Sequence, residues 1–153
     1  MTLKTRFVHL RLHSEYSVVD GAVRIDDAVK KAAQDGMGAL ALTDLANVFG
    51  LVKFYQAARK EGIKPILGAD VWVSNPEDRD KPYRLQFLVK DHQGYLNLCE
   101  LLSRASLLNQ YKGRAEVDRT WFKELSAGLI ALSGARQGDI GVALLSQQSA
   151  EAK

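Results

Sequence analysis

The sequence predicts an α/β protein in which strands and helices alternate along one mainly parallel sheet or barrel. Short apolar runs of the buried-strand type recur along the chain, such as "ALALT" at 39–43. Amphipathic stretches that end in glycine, such as 24–36 and 50–62, separate these runs. Because parallel strands need a crossover connection, usually a helix, this alternation favours a parallel arrangement.

The first predicted strand covers residues 7–13, where apolar residues alternate with histidine and arginine in "VHLRLH". A period of two is typical of a strand. A helix is predicted at 24–36, because Asp26 and Asp27 suit its positive N-terminal end and Gly36 is a natural stop.

The middle of the chain continues the alternation. A strand at 39–43 ends at Asp44, a second amphipathic helix covers 50–62, and a third strand covers 64–73. Residues 74–83, "SNPEDRDKPY", are the most loop-like stretch, and their charged run is predicted to be a solvated loop tip. The remaining predicted elements are strands at 84–90 and 129–134 and helices at 93–110, 118–128 and 138–148. No closing element follows, which predicts that the chain is a fragment of something longer.

Composition is that of an ordinary globular protein, with 46% hydrophobic and 25% charged residues in a chain of 153. The net charge of +3 permits nucleic-acid contact but does not argue for it, since no dense Lys/Arg block occurs. The single cysteine, Cys99, fits a reducing compartment. The N-terminus has no apolar run long enough for a signal peptide or a membrane span. We therefore expect a cytoplasmic protein without a membrane partner.

Polar side chains collect near the carboxyl ends of the predicted strands, where parallel α/β folds place functional residues. His13, Asp20, Asp44 and Asp70 fall there, and they suit either a cation or a set of hydrogen bonds around Arg11. The His-x-Arg-x-His pattern is a weaker metal signal than His-x-His. Asp44 has a simpler interpretation as the cap of the turn that follows it.

Several stretches of the chain resemble one known family. They are "HLRLHSEYSVVDG", "ALALTDLANVFGLVKFYQAARKEGIKPILGADVWV", "GYLNL" and "GLIALSGARQGDI". These motifs resemble the polymerase-and-histidinol-phosphatase (PHP) domain, in the version that opens the alpha subunit of bacterial DNA polymerase III. The resemblance implies that residues 1–153 are the N-terminal part of a PHP domain. They would form the first half of a distorted (β/α)7 barrel, with barrel closure and the polymerase domains downstream.

Active members of this family hold a cluster of metals, and most of the ligand positions differ here. The resemblance aligns the first His of the family's His-x-His motif with Arg11 and the second with His13. The aspartate of the "DG" motif aligns with Asp20. The His that follows "TD" falls on Leu45, and the Glu two residues after glycine falls on Asp70.

Two further ligand positions are also changed, because the fourth-strand His aligns with Arg84 and the Cys after "LSG" with Ala135. Only His13 and Asp20 keep the ligand type, while Asp70 keeps the charge. Leucine and alanine have no lone pair for a metal, and arginine stays protonated and repels a cation. The resemblance therefore implies a dismantled metal site, with no catalytic residue and no bound metal.

A structural polar cluster is expected where the metals would have been. Its predicted members are Arg11, His13, Asp20, Asp44 and Asp70. The guanidinium of Arg11 is expected to pair with Asp44 or Asp70, with Arg84 as a second cation. The alternative is that Arg11 merely points into solvent.

Three functions can be weighed from the sequence: an interaction module of a replicative polymerase, an active metal-dependent phosphoesterase, and a free-standing histidinol-phosphate-type phosphatase. The phosphoesterase would be a proofreading exonuclease or a pyrophosphatase. The ligand losses argue against both enzymes, because metal-assisted hydrolysis needs a bound cation to activate water. The motif match outside the ligands favours the polymerase version.

The resemblance also implies a setting for the chain. The parent would be a DNA-directed DNA polymerase that uses magnesium elsewhere, whereas this fragment would need no cofactor and would not polymerise. Its partners would be the remaining polymerase domains and a separate proofreading exonuclease subunit that docks on this domain. DNA would be contacted through the parent polymerase.

Overall fold

The computed structural model describes residues 7–146, which contain five α-helices and six β-strands. The helices are α1 (Ile25–Gln34), α2 (Leu51–Lys60), α3 (His92–Leu108), α4 (Phe122–Leu125) and α5 (Asp139–Leu145). The strands are β1 (Ala39–Leu42), β2 (Lys64–Val73), β3 (Tyr83–Val89), β4 (Gln110–Tyr111), β5 (Arg114–Val117) and β6 (Leu129–Ser133). Short 3₁₀ turns precede α4 and α5 at Arg119–Trp121 and Ala135–Gln137. The predicted end of the last helix, at 147–148, lies outside the described residues.

The helices form where the sequence predicts them, for the expected local reasons. In α1, Ile25 and Val29 are buried on one face, Asp26 and Asp27 occupy the first turn, and Gly36 beyond the end has a φ of 71°. Glycine adopts this left-handed conformation without steric cost, so it ends the helix. The longest helix is α3, as predicted.

The sheet is mixed, so the prediction of a mainly parallel arrangement is wrong, although the α/β class is confirmed. The described strands form one six-stranded sheet in the order β4-β5-β2-β3-β6, with β1 beside β2. β2 runs parallel to β1 and β5, but β3 is antiparallel to β2 and β6, and β4 is antiparallel to β5. The helix-free connection at 74–82 reverses the chain between β2 and β3, whereas α2 joins the parallel pair β1 and β2.

Residues 7–13 run beside β1 but do not form the predicted strand. The carbonyl of His9 accepts from Ala41 N at 2.9 Å, and the carbonyl of Leu12 accepts from Thr43 N at 2.9 Å. The two acceptors are three positions apart while the two donors are two positions apart. One extra residue therefore interrupts the regular ladder, as in a bulge.

The hairpin of β4 and β5 begins at Gln110, the last residue of the helix predicted at 93–110. At its turn, Lys112 has a φ of 48° and Gly113 a φ of 79°. Positive φ at both central residues is the mark of a type I′ turn, which matches the twist of the paired strands. No element was predicted for residues 111–117, because Lys-Gly is a weaker turn signal than Asn-Gly or Asp-Gly.

The two faces of the sheet differ in chemistry. One face carries Ala69, Val71 and Val73 of β2 and packs against Leu98 and Leu101 of α3 in the main apolar core. A second apolar cluster lies between β1, α1 and α2. The apolar core therefore covers only one side of the central strands.

The opposite side, here called the polar sheet face, carries mostly charged side chains, and four of its six members are buried. Its members are Asp70, Trp72, Arg84, Gln86, Arg114 and Glu116. Cross-strand pairing puts Asp70 opposite Gln86 and Trp72 opposite both Arg84 and Glu116, so these residues share one face. This face positions the candidate site.

No helix within residues 7–146 is long and apolar enough to cross a membrane.

Candidate functional site

Five of the predicted site residues meet on the polar sheet face. They are Arg11, His13, Asp20, Asp70 and Arg84. Asp70 comes from β2 and Arg84 from β3, while the other three come from the segment before α1. We call these five residues the Asp70 cluster.

Asp70 is the centre of the cluster, with 2% of its surface exposed. Arg11 donates to its Oδ2 atom from Nε at 2.8 Å, and the Nη2 atom of Arg11 lies 2.5 Å from the same oxygen. His13 Nε2 lies 2.9 Å and Arg84 Nη2 lies 3.4 Å from that oxygen. A single carboxylate oxygen therefore receives two guanidinium groups and an imidazole.

The second carboxylate of the cluster is Asp20, which is more exposed. Ser17 Oγ donates to Asp20 Oδ1 at 2.5 Å, and His13 Nδ1 lies 2.9 Å from the same atom. Arg84 Nη2 lies 3.6 Å from Asp20 Oδ2. His13 and Arg84 therefore each bridge the two carboxylates.

The contacts of His13 favour its protonated form. The hydrogen bond with Asp70 raises the pKa of His13 above its ordinary value, and the contact with Asp20 adds to this effect, while burial opposes it. Burial also opposes ionisation of Asp20, but hydrogen bonds with Ser17 and His13 outweigh it and lower the pKa of Asp20. Only the imidazolium donates from both ring nitrogens, so the charged ring fits between two carboxylates.

Asp44 was predicted to belong to the polar cluster or to cap the turn that follows it. Its side-chain hydrogen bonds go to Ser14 instead. Its carboxylate accepts from Ser14 N at 2.6 Å and from Ser14 Oγ at 2.8 Å, and it is buried. Burial raises the pKa of Asp44, and the two Ser14 bonds oppose that rise. Buried carboxylates normally accept hydrogen bonds, and Ser14 supplies two donors to this one. Asp44 thus fastens the N-terminal segment to the end of β1.

Leu45 and Ala135 add no polar group to the site. Leu45 is buried and forms an isolated bridge with Asp70 through its backbone, and its N–H donates to Ser17 Oγ at 3.0 Å. Ala135 is exposed after β6 with a φ of 47°, where it lines an open cavity with Arg11. Neither side chain has a lone pair to offer a metal.

The residues present do not fit a metal cluster. Asp70 Oδ1 is buried without a hydrogen-bond partner among the described residues, but a single oxygen is too few ligands for a bound cation. The guanidinium groups of Arg11 and Arg84 occupy the approach to Asp70, and they repel cations. Within residues 7–146, no group of three or more His, Cys, Asp or Glu side chains is placed to hold a metal.

Two serines take part in the site although the sequence did not single them out. Ser14 binds Asp44, and Ser17 binds both Asp20 and the backbone of Leu45. Both lie in the run "HSEYS" just after His13. Serine in such a run indicates a turn, but it does not reveal that Ser14 and Ser17 bind Asp44 and Leu45, which lie just after β1.

The comparisons with known proteins agree with this arrangement of motifs. The family model of the PHP domain matches residues 9–153. The chain belongs to the PHP domain family. This confirms the family to which the sequence motifs point, and the matched region covers the whole of the Asp70 cluster.

Relatives of this PHP domain are polymerase subunits. The chain is 51% identical over 148 residues to "DNA polymerase III subunit alpha" of Pseudomonas fluorescens, which covers 96% of this chain and 12% of that protein. It is 48% identical over 145 residues to the protein of the same name from Escherichia coli K12, covering 95% of this chain and 12% of that protein. The chain therefore spans about an eighth of the length of these curated relatives.

The fold also resembles a solved structure of an amidohydrolase from Chromobacterium violaceum, determined with bound sulfate and no metal. The TM-score is 0.51 at 28% sequence identity, and the match covers 64% of this chain and 32% of the other. This likeness is consistent with a partial (β/α) barrel.

Proposed function

We propose that this PHP domain is a catalytically inactive structural and interaction module of a replicative DNA polymerase, the DNA polymerase III alpha subunit. The observation that carries the proposal is the occupation of Asp70 Oδ2 by two guanidinium groups and an imidazole. Hydrolysis by a metal-dependent phosphoesterase needs a cation that lowers the pKa of bound water. The arginines that pair with Asp70 would stabilise the fold, and they would not support hydrolysis.

The polymerase setting of this proposal rests on the identity to alpha subunits over almost the whole chain. In that setting the neighbours of this domain are the remaining polymerase domains, in the cytoplasm. The subunit reaches DNA and uses magnesium through its polymerase domains. A polymerase with an inactive PHP domain needs proofreading from another chain, so the proposed external partner is a proofreading exonuclease subunit.

A hydrolysis assay tests the proposed inactivity. The full-length protein is incubated with a chromogenic phosphate ester, pyrophosphate or a single-stranded oligonucleotide, with manganese or zinc added. We expect the same background turnover in the parent protein and in a His13→Ala variant. Turnover that chelation abolishes and His13→Ala removes would establish the alternative, an active PHP phosphoesterase.

A binding assay tests the proposed partner. The polymerase subunit with and without this domain is titrated with the exonuclease subunit, and polymerase activity serves as the control for folding. We expect the exonuclease to bind only the subunit that carries the PHP domain. Equal binding by an active subunit lacking the domain would contradict the docking role.

A further inference from the structure

A second buried carboxylate lies on the polar sheet face, outside the Asp70 cluster. Glu116 of β5 has no exposed surface. Its Oε2 atom accepts from Ser74 Oγ at 3.1 Å and from Arg79 Nη2 at 3.1 Å. Its Oε1 atom accepts from Arg114 Nε at 3.3 Å and from Arg114 Nη2 at 3.1 Å. Both oxygens are thus paired with guanidinium donors.

Half of these donors come from the connection between β2 and β3, residues 74–82, here called the strap. The strap is tied down at further points: Arg114 Nη2 donates to Arg79 O at 2.7 Å, and Lys112 Nζ lies 2.5 Å from Asp80 Oδ1. The charged side chains of this stretch are exposed, as predicted for a solvated loop tip, and Arg79 and Asp80 also pair with residues of the β4–β5 hairpin. The fastening closes one end of the polar sheet face.

Trp72 stands between the strap and the Asp70 cluster. Its ring centroid lies 4.2 Å from the guanidinium carbon of Arg84 and 5.9 Å from that of Arg114. Arg84 pairs with Asp70, and Arg114 pairs with Glu116. The indole thus contacts one arginine of each buried carboxylate, at distances where a cation is attracted to a ring face.

The contacts of Glu116 differ in how easily they break. The side chain of Arg79 is 40% exposed, while that of Arg114 is 26% exposed and lies in the hairpin itself. If the strap lifts, Glu116 loses Arg79 but keeps Arg114, so no buried charge is left uncompensated. Such an opening costs less than global unfolding and can occur as a local event.

We infer that residues 74–82 form a strap that opens locally over the polar sheet face, and that Trp72 couples its opening to the Asp70 cluster. When Asp70 holds Arg84 against the indole, Trp72 is fixed between two arginines, and Arg114 is fixed with it. Loss of the Asp70–Arg84 pair frees the indole and loosens Arg114, which holds both Glu116 and the strap carbonyl of Arg79.

Hydrogen–deuterium exchange of the full chain tests the strap itself. We compare the parent with Arg79→Met, Glu116→Gln and the control Lys31→Met, whose ion pair with Asp35 is exposed and lies on α1, away from the strap and from α3. Exchange in 74–82 should accelerate at least about threefold in Arg79→Met and Glu116→Gln, relative to α3 in the same protein, and should not change in the control. Arg79 is partly exposed, so Arg79→Met remains informative if Glu116→Gln does not fold. An unchanged exchange rate of the strap in Arg79→Met would show that the Arg79–Glu116 pair does not hold the strap.

The coupling is tested by variants that do not touch the strap. Trp72→Leu and Arg84→Met should each accelerate exchange in 74–82 by about two- to fivefold, measured at exchange times at which α3 of the same variant is still protected. In the double variant Trp72→Leu with Arg84→Met, the acceleration should be less than the product of the two single effects. Strap exchange at the parent rate in both single variants, or effects that multiply fully in the double variant, would overturn the coupling.

Discussion

At the scale of single residues, the two arginines of the Asp70 cluster differ in burial although both meet the same oxygen. The Arg11 side chain is 54% exposed, whereas those of Arg84 and Asp70 are 6% and 3% exposed. Water screens the pair that Arg11 forms, despite its shorter distance, and screens the Arg84 pair far less. From the sequence, Arg11 was expected to be the main cation that balances the charge of the carboxylates. The burial of Arg84 indicates that Arg84 has this role.

The first prediction compares the loss of Asp70 with the loss of Arg11, by urea denaturation at neutral pH. Asp70→Asn should lower the free energy of unfolding by about 3–5 kcal/mol, because it leaves Arg84 buried beside a neutral group. Arg11→Ala should cost only about 1 kcal/mol, as expected for an exposed pair. Asp35→Asn, which breaks the exposed pair with Lys31, is the matched control and should cost less than about 0.5 kcal/mol. Equal losses for Asp70→Asn and Arg11→Ala would show that burial does not decide the outcome.

The second prediction concerns pH and His13. Its pKa in the folded protein is raised above the ordinary value of 6.5, chiefly by the hydrogen bond with Asp70. Its stabilising contribution is therefore complete below pH 6.5, and it is lost as the pH rises through the higher folded-state pKa. The free energy of unfolding should decline over that interval, and His13→Asn should remove most of the decline. His92→Asn, at an exposed position, serves as the control, and a decline that persists in His13→Asn would exclude His13 as its source.

At the scale of elements, the N-terminal segment is held by side chains where a strand ladder was predicted. Ser14 binds Asp44 at the end of β1, and Ser17 binds the backbone of Leu45. These bonds compensate for the interrupted backbone pairing beside β1. The alternating pattern at 7–13 predicted a strand, which does not form. Periodicity gives no information about an extra residue in the register.

The third prediction tests this attachment by thermal or urea denaturation. Ser14→Ala removes one of the two donors to the buried Asp44 carboxylate, so it should destabilise the protein by about 1–3 kcal/mol. Ser106→Ala, on the exposed side of α3, should change stability by less than about 0.5 kcal/mol. A Ser14→Ala variant as stable as this control would mean that the Ser14–Asp44 contact does not hold the segment.

At the scale of the whole molecule, the sequence was sufficient to predict the main helices and the family. Helical periodicity located α1, α2 and α3, and the family motifs identified the PHP domain. The predicted loop at 74–83 contains no helix, which favours an antiparallel return of β3 beside β2, but the helix–strand alternation elsewhere in the chain outweighed this signal and the mixed sheet was missed. The Glu116 network was missed because Arg79 and Glu116 are 37 positions apart and neither belongs to a motif.

The metal content of the full-length protein tests the central claim most directly. Protein purified without chelator is measured by elemental analysis beside the variants His13→Ala and Asp70→Asn. Because guanidinium groups occupy the approach to Asp70, we expect the parent and both variants to contain the same amount of zinc, manganese and iron. Stoichiometric zinc, manganese or iron that the parent holds and both variants lose would contradict the replacement of metal by arginine.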